Sequence, residues 1–158
     1  NYTPKVMIAA SGPDQGQAFI NELNPINAQG IMVPDGWNGE SQNALSHVMV
    51  QDYIAKFGGT SSDVNADVAE AYSAGEVLAD AVKHNQSLSN SKIIQYLHSG
   101  VTLNTAQGPV KFASDGENVA QHGFIYQWQS GQFLQVLPAA AQGSTPIVKS
   151  KPAWGQSG

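Results

Sequence analysis

Residues 5–33 decide the fold class, and they read KVMIAASGPDQGQAFINELNPINAQGIMV. Two short apolar runs, Val6–Ala10 and Gly30–Val33, enclose a segment with the apolar spacing of a helix. Asp14 can cap that helix, and Pro25 is expected to stop it. Short apolar runs bounded by turn residues are typical of strands buried on both faces. The stretch therefore predicts a strand–helix–strand unit, the building block of a parallel sheet in an α/β fold.

Three helices are expected after this unit, because apolar residues recur three or four positions apart. They run from about Ser41 to Phe57, from about Ala66 to His84, and from Ser91 to His98. The longest has many small residues, which favour close packing on both sides. Its expected core face consists of Val68, Tyr72, Gly75, Leu78, Ala79 and Val82.

The last third of the chain changes to strand patterns. A strand is predicted at Gly108–Ala113, and a second at His122–Gln129, which alternates apolar and polar positions. Ser130-Gly131 turns the second strand into Phe133–Leu137, which predicts an antiparallel hairpin. The expected aromatic face of the second strand consists of Phe124, Tyr126 and Trp128. The tail after Pro138 has no period and is interpreted as an extended wrap over the surface.

Composition limits the function classes. The 158 residues carry seven basic and twelve acidic side chains, so the net charge is −5. No basic cluster could neutralise phosphates, which argues against nucleic acid as a partner. The sequence has no cysteine, and this excludes disulfides, thiolate catalysis and zinc–thiolate sites. The first apolar run follows Asn1 almost at once, which we interpret as a cut from a longer protein.

Chemistry-bearing motifs are few. The four histidines, His47, His84, His98 and His122, lack metal-ligand spacing, and no HExxH or GxGxxG is present. Ser11 lacks the GxSxG context of a hydrolase nucleophile. We therefore predict no catalytic residue, no metal site and no cofactor.

Three features are candidates for ligand binding, each with an alternative. Ser11 and Gly12 follow a predicted parallel strand, where backbone N–H groups and hydroxyls face a crevice, or they form a plain tight turn. Asp67 either pairs with a ligand ammonium group or stabilises its helix N-terminus. Trp37 either stacks on a ligand or is buried at a hinge.

Four stretches in this order resemble the leucine/isoleucine/valine-binding protein family of type I periplasmic binding proteins. They are ADVAEAYSAGEVL at 66–78, TAQGPVKF at 105–112, DGEN at 115–118 and YQWQSG at 126–131. The family has a helix with an A-Y-x-A core, a G-P-v-x-F strand, a D-G-x-x turn and a Q-W-x-x-G hairpin. The resemblance extends from Pro4 to Trp154 and concerns the C-terminal half of the family fold.

The resemblance implies two α/β lobes, each a parallel sheet with flanking helices, joined by crossovers around a ligand. Residues 1–36 would belong to the second lobe, residues 37–121 to the first, and residues 122–158, with the hairpin and the C-terminal wrap, to the second again. Neither lobe then has its full sheet. The expected partner is therefore the missing N-terminal half of the protein or a second copy of this chain.

The resemblance also implies the site and the function. Ser11 and Gly12 lie in a contact loop of the family, where Asp14 is a candidate for the acidic residue that members carry. Ala66 and Asp67 open the second contact segment, where an aromatic or apolar residue is common. Asp67 departs from that pattern and favours an amino-containing ligand in general.

A protein of this kind captures a small polar ligand outside the cytoplasm, in the periplasm or as an anchored lipoprotein, and delivers it to an ABC permease after hinge closure. The alternatives are a ligand sensor of the same fold and an α/β enzyme. An enzyme would need a paired nucleophile and base, and the sequence offers no such pair.

Overall fold

The computed structural model describes residues 2–39, 43–120, 123–141 and 143–155. The chain divides into two compact units, described separately below. Unit 1 comprises Asn1–Asn38, Ser62–Ala66 and Gly123–Gly158, and unit 2 comprises Gly39–Ser61 and Asp67–His122. Their assignment to the lobes of a two-lobed protein stays a prediction.

The elements follow one another in the order expected for an α/β chain. In sequence they are β1 (Met7–Ile8), α1 (Gln17–Leu23), α2 (Pro25–Ala28), β2 (Ile31–Asp35), α3 (Ala44–Phe57), a 3-10 turn (Ser61–Asp63), α4 (Ala66–Asn85), α5 (Asn90–Leu97), β3 (Leu103–Thr105), β4 (Gly108–Val110), β5 (Phe124–Gln129) and β6 (Gln132–Leu137).

Unit 1 is built on a four-stranded sheet in the order β1-β2-β5-β6. β1 and β2 are parallel, with Met7 opposite Ile31, so the predicted strand–helix–strand unit is confirmed. β5 joins β2 antiparallel and β6 joins β5 antiparallel, which makes the sheet mixed. The antiparallel part follows from the tight turn between β5 and β6. Ser130 and Gly131 have φ values of 51° and 79°, as a two-residue hairpin requires.

The helical segment between β1 and β2 is divided in two. Pro25 ends α1, as predicted, and also begins α2, where its missing N–H costs nothing. The side chain of Asn24 accepts a hydrogen bond from the Asn27 N–H at 2.9 Å and caps α2. The predicted cap on α1 is wrong. α1 begins at Gln17 after Gly16, without a side-chain cap, because Asp14 bonds within its own loop.

The core of unit 1 lies between these helices and the sheet. Its buried residues are Ile20, Ala28, Ile31 and Trp128, and the partly buried residues around them are Met7, Phe19, Leu23, Phe133 and Trp154. Trp128 is the largest member of the cluster, and its ring lies 5.0 Å from that of Phe133. Of the alternating aromatic residues of β5, Trp128 therefore lies in this core.

Side-chain and backbone hydrogen bonds hold the C-terminal tail in unit 1 without strand pairing. Its described residues, 139–141 and 143–155, form no helix or strand. The Val148 N–H donates to Gln127 Oε1 at 2.8 Å, and Gln127 Nε2 donates back to the Val148 carbonyl at 3.0 Å. Farther along, Lys151 Nζ donates to the Asn27 carbonyl at 2.8 Å and lies 3.5 Å from the centre of the Trp154 ring. Burial lowers the pKa of Lys151.

Unit 2 contains α3, α4, α5 and the two-stranded sheet β3–β4. The predicted start of α3 at Ser41 lies outside the described residues. In the described part, Asn43 caps α3 by accepting from the Leu45 N–H at 3.0 Å. β3 has no counterpart among the predicted strands. β4 ends at Val110 rather than Ala113, because Asn118 Oδ1 accepts the Lys111 N–H that a longer strand would pair.

The buried face of α4 differs from the predicted one. Ala69, Ser73 and Ala81 are buried, whereas Tyr72 and Leu78, which were expected in the core, are 39 % and 53 % exposed. This orientation satisfies two backbone donors of the β3–β4 connection. Ser73 Oγ accepts the Gln107 N–H at 3.1 Å, and Glu76 Oε2 accepts the Ala106 N–H at 2.7 Å. Backbone N–H groups in a partly buried turn need acceptors, and this face of α4 supplies them.

Candidate functional site

The loop after β1 contains a tight turn at residues 12–15 that is closed by hydrogen bonds within the loop. The Gly12 N–H donates to Asp14 Oδ1 at 2.6 Å, and the Gln15 N–H donates to the Gly12 carbonyl at 3.2 Å. Gly12 has a φ of 100°, which favours glycine at this position. Ser11 and Gly12 are both exposed. The loop therefore presents the Ser11 hydroxyl to solvent, while Asp14 holds the turn together.

The core anchors this loop. Pro13 is buried, and its carbonyl accepts a hydrogen bond from Trp128 Nε1 at 2.7 Å. The donor and the acceptor are both buried, so the bond persists without competition from water. The loop that follows β1 is thus attached to the core at Pro13, the residue after Gly12.

A second segment of the chain lies against the loop. Residues 62–66 belong to unit 1, although they connect two helices of unit 2. Asn65 Nδ2 donates to Gln15 Oε1 at 2.8 Å. A Cβ added to Gly16 would come within 2.7 Å of the Ser62 carbonyl oxygen. The structure therefore brings the loop of Ser11 and Gly12 together with the segment that ends at Ala66.

Ala66 and Asp67 open α4. Ala66 is 6 % exposed and packs in unit 1. Asp67 is exposed, lies in the first turn of α4 and belongs to unit 2. Its negative charge in the first turn stabilises the helix N-terminus through the macrodipole, and its side chain is exposed to solvent.

Trp37 is 2 % exposed, which matches the buried alternative left open by the sequence. Next to it along the chain, Asn38 Nδ2 donates to the Phe133 carbonyl at 3.1 Å. Asp35 Oδ1 accepts the Gly36 N–H at 2.6 Å. Burial, and secondarily the negative charge of Asp35, raises the pKa of Tyr126. The end of β2 is therefore well ordered, and a role for Trp37 in ligand binding stays a prediction.

Sequence reasoning missed Gln15, Gly16, Ser62 and Asn65 as members of this region. Polar residues in loops give no periodic signal, and the two pairs are separated by about fifty positions. Only the tertiary structure shows that they meet.

Within the described ranges, no group of three or more His, Asp or Glu side chains could hold a metal ion. Of the histidines considered earlier, His84 stacks on Tyr96 with ring centres 4.0 Å apart, and His98 lies 6.4 Å from Phe112. His122 lies outside the described residues. No helix in the described part of the chain is long and apolar enough to cross a membrane.

A cavity of about 440 Å³ opens on unit 2 beside the β3–β4 hairpin. None of its lining residues is ionisable; they are Asn43, Leu45, Asn104, Thr105, Gly108 and Pro109. Asn43 Nδ2 donates to the Thr105 carbonyl at 2.7 Å, so this amide holds the hairpin. The cavity includes none of the predicted ligand-binding residues.

Comparison with known proteins identifies the family of this chain. The family profile described as "Periplasmic binding protein" matches residues 1–132. The chain belongs to this family. The resemblance drawn from the four sequence stretches is confirmed, and so is the type I periplasmic-binding-protein fold. No curated protein matches the sequence.

Solved structures of ABC transporter substrate-binding proteins share the fold. The branched-chain amino acid binding protein LivJ of Streptococcus pneumoniae, in complex with isoleucine, has a TM-score of 0.66 and 18% identity, with 82% of this chain and 36% of LivJ covered. The leucine binding protein LivK of Thermotoga maritima has a TM-score of 0.65 and 21% identity, with 81% and 35% covered. A solute-binding protein of R. palustris in complex with benzoate has a TM-score of 0.58 and 17% identity, with 79% and 34% covered. The chain thus spans about a third of the length of these relatives.

Proposed function

We propose that this chain is the C-terminal part of an extracytoplasmic solute-binding protein that delivers a small polar ligand to an ABC importer. The observation that carries the proposal is the family match over residues 1–132. The solved relatives support an amino acid or another amino compound as the ligand, since two of the three described above are named for leucine or for branched-chain amino acids. The protein is proposed to bind and release this ligand without chemical change.

The proposed site combines two segments. Ser11 Oγ is the exposed hydroxyl of the loop after β1, and it suits a ligand carboxylate or another acceptor. Gly12 contributes its backbone conformation, because its N–H is engaged by Asp14. The Asp67 carboxylate suits a ligand ammonium group, since a charge-assisted hydrogen bond is about twice as strong as a neutral one. Ala66 and Trp37 are proposed as apolar walls.

The proposed mechanism is hinge closure. Unit 1 corresponds in this proposal to the second lobe, and unit 2 to the first. A ligand with higher affinity for the closed form shifts the equilibrium toward it, and the permease binds that form. The remaining part of the protein, or a second copy of this chain, would complete both sheets. Anchoring as a lipoprotein is part of the same proposal.

We expect the full-length protein to bind an amino acid and to leave it unchanged. The measurement is a thermal-shift screen of the standard amino acids and benzoate, followed by calorimetry of the compounds that stabilise the protein. A bound ligand at a hundred times its Kd raises the free energy of unfolding by about 2.7 kcal/mol, which is readily detected. Product analysis of the bound compound serves as the control. No stabilisation by any compound, together with measurable hydrolase activity, would contradict the proposal.

Asp67→Asn is expected to weaken binding of the amino acid found in that screen by more than about fivefold. The reason is the loss of a charge partner for the ligand ammonium group. Asp52→Asn provides the matched control, because Asp52 is an exposed carboxylate on α3 of the same unit. Calorimetry measures both variants. Equal affinity of Asp67→Asn and wild type would leave Asp67 with a helix-end role only.

A further inference from the structure

The contact between residues 15–16 and residues 62–65 has a consequence for ligand affinity. We infer that Gly16, together with the Gln15–Asn65 hydrogen bond, positions the loop of Ser11 and Gly12 in its ligand-binding arrangement. Gly16 is thus a positioning residue for a site that it does not line. The inference rests on the proposed function, because it assigns Ser11 to the ligand site.

Gly16 permits an approach that no other residue permits. Its φ of 60° lies in the left-handed region, with ψ at −134°, a combination that side chains disfavour. A Cβ would also lie 2.7 Å from the Ser62 carbonyl oxygen and 3.9 Å from its carbon. Because the nearby atom is backbone, a flexible side chain cannot move aside to make room. A methyl group at this position therefore separates the loop from Ser62.

The Gln15–Asn65 hydrogen bond is a second, independent contact on the same side of the loop. It joins two side-chain amides across fifty positions at 2.8 Å. This hydrogen bond lies next to the approach of Gly16 to Ser62 in the chain. Gln15 directly precedes Gly16, and Asn65 follows Ser62 by three positions. Two adjacent contacts define both the distance and the orientation of the two segments, which one contact alone cannot do.

Displacement at Gly16 is transmitted to Ser11 because the loop moves as a body. Hydrogen bonds from Gly12 to Asp14 and from Gln15 to Gly12 close it within four residues. The buried bond between Trp128 and the Pro13 carbonyl attaches it to the core. We therefore expect a displacement at Gly16 to be transmitted through the closed segment 12–15 to Ser11, which directly precedes that segment. Misplacement of a binding group by about 1 Å is enough to cause a large loss of function.

The test is calorimetry on the full-length protein with L-isoleucine and L-leucine as probes. We expect Gly16→Ala to raise the Kd of the bound probe by about tenfold or more. Gly143→Ala is the matched control. Gly143 also has a positive φ, of 82°, and belongs to unit 1, but a Cβ there meets nothing within 4 Å. Its Kd is expected to equal that of wild type, which would show that replacing a positive-φ glycine elsewhere in unit 1 does not change the affinity.

A second set of variants keeps the inference testable if Gly16→Ala does not fold. Gln15→Ala and Asn65→Ala are each expected to raise the Kd about threefold, because each removes the hydrogen bond that joins the two segments, and the double variant is expected to raise the Kd by less than the product of the two. A ninefold rise in the double variant, or a Kd within twofold of wild type in Gly16→Ala, contradicts the inference and leaves the proposed function intact. A wild-type protein that binds neither probe contradicts a branched-chain amino acid as the ligand, and the inference, which is stated for these two probes, falls with it.

Discussion

Trp128→Ala is expected to lower the free energy of unfolding by about 4 kcal/mol. Trp128 is 3 % exposed and belongs to the buried core cluster of unit 1. Its ring contacts Phe19 at 5.7 Å and Phe133 at 5.0 Å between ring centres, so removing it exposes two further aromatic rings to a cavity. The Pro13 carbonyl would also lose its buried donor.

Chemical denaturation followed by circular dichroism measures this effect. Trp128→Phe is the matched variant, because it keeps an aromatic ring and removes the Nε1–H donor. Its expected loss is about 2 kcal/mol, mostly from the unsatisfied carbonyl. Trp154→Ala, at a half-buried ring on the edge of the same core, should cost less than Trp128→Ala. A loss below about 1 kcal/mol for Trp128→Ala would show that unit 1 does not depend on this core.

Gln127→Leu is expected to lower the free energy of unfolding by about 3 kcal/mol. Gln127 is 0 % exposed, and its amide makes hydrogen bonds with the carbonyls of Gly30 and Val148 and with the Val148 N–H. Leucine has a similar volume but can form none of these hydrogen bonds. The loss therefore comes from buried backbone groups left without hydrogen bonds rather than from a cavity.

Hydrogen exchange provides a local measurement for this variant. The Val148 amide is expected to lose its protection, because Gln127 Oε1 is its acceptor. Gln135→Leu is the control: Gln135 Nε2 makes one partly buried hydrogen bond, with Ser144 Oγ, and its loss should cost below about 1 kcal/mol. Equal stability of the two variants would indicate that the tail is not held by Gln127.

The amide of Gln127 illustrates why part of the fold was not predictable. β5 alternates aromatic residues on one face, and this alternation correctly predicts a strand with a buried side. The other face carries glutamine, which by itself indicates exposure to solvent. Burial of Gln127 depends on a tail that follows more than fifteen residues later and has no periodic pattern. A polar side chain becomes a core residue when a distant backbone supplies both a donor and an acceptor.

The same distinction applies to α4. Its length and its end near Asn85 follow from local spacing and were predicted closely. The buried face was not, because Tyr72 and Leu78 have the stronger hydrophobic signal. Ser73 instead faces the β3–β4 connection and meets the Gln107 N–H. Periodicity indicates that a helix has an apolar side, but it does not indicate which neighbour is present to cover it.

The sequence by itself determined the strand–helix–strand beginning, the three later helices, the β5–β6 hairpin and the family. These depend on residues within a few positions of one another, where periodicity, glycine and proline restrict the backbone directly. Only the tertiary structure decided that Gln15 and Gly16 meet Ser62 and Asn65, and that Gln127 is buried beneath the tail. Such contacts join polar or small residues far apart in the chain. Their energies depend on geometry that local propensity does not encode, so the arrangement of the candidate site is known only once the chain has folded.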